Sequence, residues 1–366
     1  MDYAAAGMRP LVAAGIESLQ PYEAGKPVEE LMREQGVADA VKLASNENPL
    51  GPGPRALEAM RAAAAQAHRY PDAAAFRLRE RLSAMHGVAM SELQHGAGVN
   101  ELLDLLVRTF TTPADHVVFA EPSFVVYRMA ALAQGTPFTA VPLRDFTHDL
   151  DAMAAAVTPA TRLMFVANPN NPTGTHVGRE ALSRLLRQVP PEVIVAMDEA
   201  YFEYADADDF PDSLSLRHLR ERLVVLRSFS KVHGLAALRV GYAVGPARLV
   251  DYLNRVRPPF SVSSLAQEAA LAALQDEQHV ARSVANNRTE RLRMTTALRA
   301  MGLVVPPSQA NFLYLLLDRP GREVYQKLLP LGVIVRPCGD ANALRVTIGR
   351  PEENDRFLAA FAEVYP

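Results

Sequence analysis

Lys231 stands in "RSFSKVHGLAALR", with Ser228 and Ser230 just before it and Arg239 eight positions after it. It ends the stretch "ERLVVLRSFSK", whose apolar run reads as a buried strand, so its amine is expected in a partly desolvated crevice, where its pKa falls and it becomes a usable nucleophile. An amine of that kind condenses with aldehydes. The two hydroxyls and the guanidinium around it are donors suited to a phosphate. Taken alone, a lysine with an arginine eight residues on is usually a surface lysine with a structural arginine, so the reading depends on what the other apolar runs deliver.

An aldehyde that carries a phosphate is pyridoxal phosphate. It acts as an electron sink only while its ring nitrogen stays protonated, which a carboxylate at hydrogen-bonding distance enforces. Asp198, closing "VIVAMDEAY", is the candidate, because a buried carboxylate there needs a cation; the plain alternative is a loop or capping residue. Tyr201 and Asn171, the latter in "NPNNPTG", are donors suited to the ring's phenolic oxygen. "HGAGVNELLDLL" (95–106) is a glycine-bearing loop running into a helix, so the amides near Val99 and Asn100 can face an anion with the helix dipole behind them. A dinucleotide fingerprint fails on context, since position 101 is Glu rather than Gly and "MSELQ" is a poor strand. Tyr127 is placed to lie face to face with the pyridine ring, and Tyr70 in "HRYPD" offers a phenol to a phosphate.

These groups need a scaffold that brings strand ends together. "RLMFVANPNNPTG", "PEVIVAMDEAY" and "ERLVVLRSFSK" have apolar centres at Phe165, Val195 and Val225, spaced about 30 residues apart, the size of a β-helix-β unit. Between the first two, "GREALSRLLRQV" is apolar at helical spacing. A helix at 101–110 and a buried strand at 115–123 extend the pattern. In such a sheet, ligands bind at the carboxyl ends of the strands. The fold class is therefore α/β, with a mostly parallel sheet between helices. After Pro258-Pro259 a long helical stretch, about 262 to 302, precedes the apolar runs "ANFLYLLL", "GVIVRP" and "ALRVTIG", which read as a smaller α+β domain. The expected division is 51–259 as a large cofactor-binding domain, with 1–50 and 260–366 as an N-terminal arm and small domain. The arm is expected to pack against the small domain or an interface, and "RAAAAQAH" reads as helix.

Composition narrows the partners. The 366 residues are 49% hydrophobic and 22% charged with a formal net charge of -3, which offers no basic surplus to nucleic acid or an anionic membrane. No run of about 18 apolar residues occurs and the start lacks a leader pattern. The single cysteine, Cys338, forms no internal disulfide, and no metal-site spacing is present among Cys and the nine scattered His. A cytoplasmic location without metal, membrane or nucleic-acid partner is expected.

Jointly, "NENPLG", "RYPD", "GAGVNE", "NPNNPTG", "DEAY", "SFSK" with Arg239, "SQANFL" and "LRVTIG" resemble, in order and over nearly the whole chain, the fold-type I pyridoxal phosphate aminotransferases related to aspartate aminotransferase. The opening "ESLQPYEAGKP" followed by "KLASNENPLGP" is similar to the branch of that family acting on histidinol phosphate. The resemblance implies Lys231 as the residue that bonds the cofactor and Asp198 at its ring nitrogen. It puts Asn171 and Tyr201 at the ring oxygen and Tyr127 stacked on the ring. The Val99 and Asn100 amides, Ser228, Ser230 and Arg239 would surround the phosphate, joined by Tyr70 from a second subunit, hence a homodimer. Tyr22, Arg336 and Arg345 would bind substrate, with one anion site serving the phosphate of histidinol phosphate and then the carboxylate of glutamate or 2-oxoglutarate. Val99-Asn100 stands where the family commonly has Ser-Asp. Aromatic transamination and threonine-phosphate decarboxylation remain as alternatives. A regulator with an aminotransferase-like module would need a DNA-binding domain ahead of "ESLQPY", for which the first 25 residues leave no room.

Overall fold

The computed structural model describes residues 11–339 and 341–365; the first ten residues of the expected arm, Asp340 and Pro366 lie outside the described residues. Among the described residues twelve strands are formed: β1 Val41–Lys42, β2 Leu93–Gly96, β3 His116–Glu121, β4 Phe138–Pro142, β5 Thr161–Ala167, β6 Ile194–Asp198, β7 Leu223–Ser228, β8 Gly241–Val244, β9 Phe312–Leu316, β10 Val333–Ile334, β11 Arg336–Pro337 and β12 Ala343–Thr347.

The three 30-residue units fold as parallel neighbours. β5 pairs in parallel with β6 and β6 with β7, and the sheet continues to seven strands in the order β2-β8-β7-β6-β5-β3-β4. Only β8 runs against both its neighbours. The continuous apolar runs arise because both faces are covered. Successive residues alternate between two cores: Leu163 and Phe165 pack with Leu102 and Leu106 of helix Gly98–Phe110. Met164 and Val166 pack with Leu182 and Leu185 of helix Arg179–Gln188. That helix is the expected crossover.

A separate core gathers around the antiparallel sheet β11-β12-β9. Met294 and Leu298 of helix Glu277–Ala300 and Phe357 and Phe361 of helix Pro351–Val364 fill it. Leu43 joins this core, and β1 pairs with β10. The described part of the arm thus packs on the smaller body, apart from helix Ala14–Glu17, which lies against helix Val126–Gln134.

Four local expectations are corrected. "MSELQ" does enter a strand, since β2 gains a partner in β8 and is buried throughout; pairing supplies what local propensity lacks. The stretch 262–302 is two helices, Ser264–Ala273 and Glu277–Ala300, because Asp276 accepts the His279 amide and caps the second. "RAAAAQAH" is helical only to Ala64. Helix Ser264–Ala273 shares a core with Ala56, Leu78 and Leu82, so the chain leaves the larger body after that helix and not at residue 260.

Candidate active site

The carboxyl ends of β5, β6 and β7 converge on a cavity of about 230 Å³. Asp198, Tyr201, Asn171, Ser228, Ser230, Lys231, Arg239, Val99, Asn100, Tyr22 and Arg345 all line it, so eleven of the fourteen residues singled out in the sequence meet in one place. Tyr127, Tyr70 and Arg336 are not on its wall.

Lys231 follows β7 on the rim, its amine 5.4 Å from the centre of the Tyr201 ring. Burial, reinforced by the charge of Arg345, lowers its pKa to about 8, so a useful fraction is neutral near pH 7. Asp198 ends β6 fully within the protein, and burial raises its carboxyl pKa against two hydrogen bonds that lower it. Those bonds come from the Tyr127 hydroxyl at 2.8 Å and the Ala200 amide at 3.2 Å. Tyr201 accepts from Asn46 Nδ2 at 2.9 Å, leaving its own proton free to donate. Burial pushes that phenol up to about 12, so it stays protonated. Asn171 accepts from Arg345 Nη1 at 2.6 Å, which turns its amide nitrogen into the group able to donate inward.

Opposite these lies an anion cradle. Helix Gly98–Phe110 starts at the cavity, and its first amides have no intrahelical acceptor. Gly98 has φ +77°, and a Cβ there would run into the Arg239 guanidinium, so only glycine lets arginine and helix end converge. Arg239 Nη1 reaches Ser230 Oγ at 3.3 Å, and the Ser228 hydroxyl accepts the Ser230 amide at 3.0 Å. Donors for a phosphate at one end, a buried carboxylate at the other and a neutralisable amine between them fit pyridoxal phosphate.

The expected stacking residue is corrected. Tyr127 is fully buried, stacked on Phe165 at 4.7 Å and 5° and hydrogen-bonded to Asp198; the aromatic side chain that this stretch, "EPSFVVY", places on the cavity wall is Phe124, three residues earlier. The apolar core claims Tyr127 because it sits on the inward face of helix Val126–Gln134. Tyr70 is 82% exposed and stacks on Phe260 at 4.7 Å, away from this chain's cavity. Arg336 lies directly across from Arg345 in the β11-β12 ladder, its guanidinium 5.3 Å from the Tyr22 ring centre; the cation is therefore held at the mouth.

Sequence reasoning also missed Ser45, Asn46 and Glu47, which line the cavity. Asn46 is 1% exposed and ties three quoted motifs together. It is held by the Thr347 side chain at 2.9 Å from its amide, and its carbonyl accepts from Asn311 at 3.1 Å. The signal was "NENPLG" itself, which carried the resemblance without a residue role.

Fold and site together define a pyridoxal phosphate-dependent enzyme of the α/β type. The pattern of "Aminotransferase class I and II" matches residues 38–361, and the chain belongs to that family. It is 47% identical over 359 residues to the histidinol-phosphate aminotransferase of Moorella thermoacetica, covering 97% of this chain and 93% of that protein. To histidinol-phosphate aminotransferase 2 of Pseudomonas aeruginosa it is 49% identical, with 97% of both chains covered. The crystal structure of histidinol-phosphate aminotransferase from Sinorhizobium meliloti in complex with pyridoxal-5'-phosphate superimposes with a TM-score of 0.88 at 26% identity, covering 98% of each chain. Aspartate aminotransferase of Thermus thermophilus with maleate gives 0.82 at 26% identity, covering 98% of this chain and 100% of that one.

Proposed function

We propose that the protein moves the amino group between histidinol phosphate and 2-oxoglutarate, giving imidazole-acetol phosphate and glutamate, as a step of histidine biosynthesis. The observation that carries this reading is the arginine pair at the cavity: Arg345 on the wall, Arg336 across the ladder from it, and Tyr22 on both the wall and the Arg336 guanidinium. Forked guanidinium groups suit a phosphate and a carboxylate equally, so one site serves both halves of the exchange. The names of the full-length relatives agree with it.

In this reading the cofactor, when bound, supplies the electron sink for breaking a bond at the amino-bearing carbon. Asp198 would hold the ring nitrogen protonated, and Tyr201 and Asn171 would donate to the ring oxygen. Ser228, Ser230, Arg239 and the Val99 and Asn100 amides would hold the phosphate, and Phe124 on the wall would lie against the ring. Lys231 would be the amine that holds the cofactor's aldehyde, and its neutral form would serve as the base and its protonated form as the acid for the proton at the amino-bearing carbon. Its pKa of about 8 suits both directions near neutral pH.

Two bodies are part of the proposal: residues from the start of helix Pro54–Ala64 through helix Ser264–Ala273 form the larger, and the remainder closes over substrate. A homodimer in the cytoplasm completes it, with exposed Tyr70 reaching a second subunit's phosphate site. The test is the visible absorbance of cofactor-loaded protein as single amino donors are added. Fast bleaching by histidinol phosphate, and little by phenylalanine or threonine phosphate, is expected; faster loss with phenylalanine transfers the assignment to aromatic transamination. Lys231→Ala should abolish turnover, and full activity in that variant ends the mechanism.

A further inference from the structure

A second cleft, of about 880 Å³, opens between helices Phe76–His86 and Glu277–Ala300. Its walls are apolar, with Met85, Leu274, Val280 and Val284 facing it, while its floor carries Glu203, Arg227, His233 and Tyr242. Arg227 adjoins Ser228 in β7, but successive side chains of a strand point to opposite faces, so this floor is the reverse side of the catalytic rim.

Most of the floor is satisfied internally. Arg227 donates through Nε and Nη2 to Glu199 at 3.1 and 2.9 Å, and again through Nη2 to Asp212 at 2.7 Å. Its guanidinium lies 3.6 Å above the centre of the Phe202 ring. The Tyr242 hydroxyl and His86 Nε2 are 2.9 Å apart. Two buried atoms of the floor have no partner, Glu203 Oε2 and His233 Nδ1, nor has Arg81 Nε on the wall, and His233 is only 8% exposed. Burial lowers the His233 imidazole to about 4 and so keeps it uncharged. One guanidinium therefore answers two carboxylates, and Glu203 is a third with no counter-charge of its own. Arg81 and Glu277 offset each other in formal charge among the remaining lining residues, and Arg288 is tied to Asp206 at 3.3 Å.

We propose that this cleft binds a small organic cation with an apolar body, its positive head against Glu203 and its body along Met85, Leu274, Val280 and Val284. A buried carboxylate is stable in its charged form only beside a cation, and apolar walls beside one convergent polar group are the usual make-up of a small-molecule site. Burial raises the Glu203 carboxyl to about 7, the cost that a bound cation offsets.

Benzyltrimethylammonium is the probe, because a quaternary nitrogen cannot condense with an aldehyde and so does not react at Lys231. Titration calorimetry of the holoenzyme should show saturable binding of one probe per chain, with a Kd of roughly 0.1–1 mM. Glu203→Gln should weaken it at least about tenfold, and Val284→Trp, which fills the cleft from the helix side, should abolish it. Both variants should keep the cofactor's visible band. Absence of saturation by about 10 mM probe, equal affinity in both variants, or displacement of the probe by amino donors would each overturn the proposal.

Discussion

Tyr127→Phe removes one oxygen from a fully buried ring and keeps its stacking on Phe165. If Tyr127 acted by covering the cofactor ring, the change would be silent. Its hydroxyl instead donates to Asp198 Oδ2 at 2.8 Å and is one of two donors, with the Ala200 amide, on that carboxylate. A hydrogen bond to a charged group contributes about 1.5–3 kcal/mol, so its loss raises the Asp198 pKa further, in the direction burial already pushes it. The sign follows from the bond favouring the ionised form: removing it moves the acid limb of the pH-rate profile upward. At the low end of that range kcat should fall about tenfold with KM nearly unchanged. Cofactor-free protein gives a second readout, because the buried carboxylate loses a partner whether or not the site is loaded. Its melting temperature should drop by a few degrees, a loss of about 1–2 kcal/mol. An acid limb and melting temperature both equal to the parent's would refute the role assigned to the hydroxyl.

Phe124→Ala uncovers the ring face; stacking of this kind contributes about 0.5–1.5 kcal/mol, so dialysis followed by absorbance should show cofactor retention weakened roughly two- to tenfold. Gly98→Ala imposes a side chain at φ +77° and against Arg239, and cofactor affinity in fluorescence titration should fall by about tenfold or more. In cofactor-free protein the Lys231 amine should react with an acylating reagent at a rate half-maximal near pH 8. Its pKa is lowered, so reactivity is gained as pH rises through 8; about one amine in ten is neutral at pH 7, against about one in three thousand at the usual lysine pKa. Half-maximal reactivity near pH 10.5 would remove the argument from burial.

Legibility in the sequence followed the physics of each residue. Strand ends were readable because runs such as "VIVAMD" and "LVVLRS" are buried on both faces and stop at polar residues, a pattern with few other causes. Phe124 and Tyr127 were not separable, since Phe124 lies in the turn before helix Val126–Gln134 and Tyr127 in its first turn, and only packing on Phe165 shows that Tyr127 is the one turned inward. Nor was β2 readable, because "LQHG" becomes a strand by pairing with residues nearly 150 positions later. Asn46 shows a different limit. Its partners Tyr201, Asn311 and Thr347 come from three distant segments, so its motif was visible while its work was not.

Arg345 shows why the two sheets have to act together. It stands on β12 of the three-stranded sheet, yet donates to Asn171 at 2.6 Å, beyond the end of β5 in the seven-stranded sheet, and to the Ala44 carbonyl at 2.7 Å. Those two bonds use one hydrogen on each terminal nitrogen, and a guanidinium has five. Its Nε is buried without a partner, a condition that costs about 1–3 kcal/mol. An incoming phosphate or carboxylate bound side-on through Nε and a terminal nitrogen would satisfy that donor without breaking the bond to Asn171. Substrate binding in the proposed reaction would then remove a penalty the free enzyme carries, and would do so at the residue that links the substrate anion to the Asn171 amide facing the cofactor.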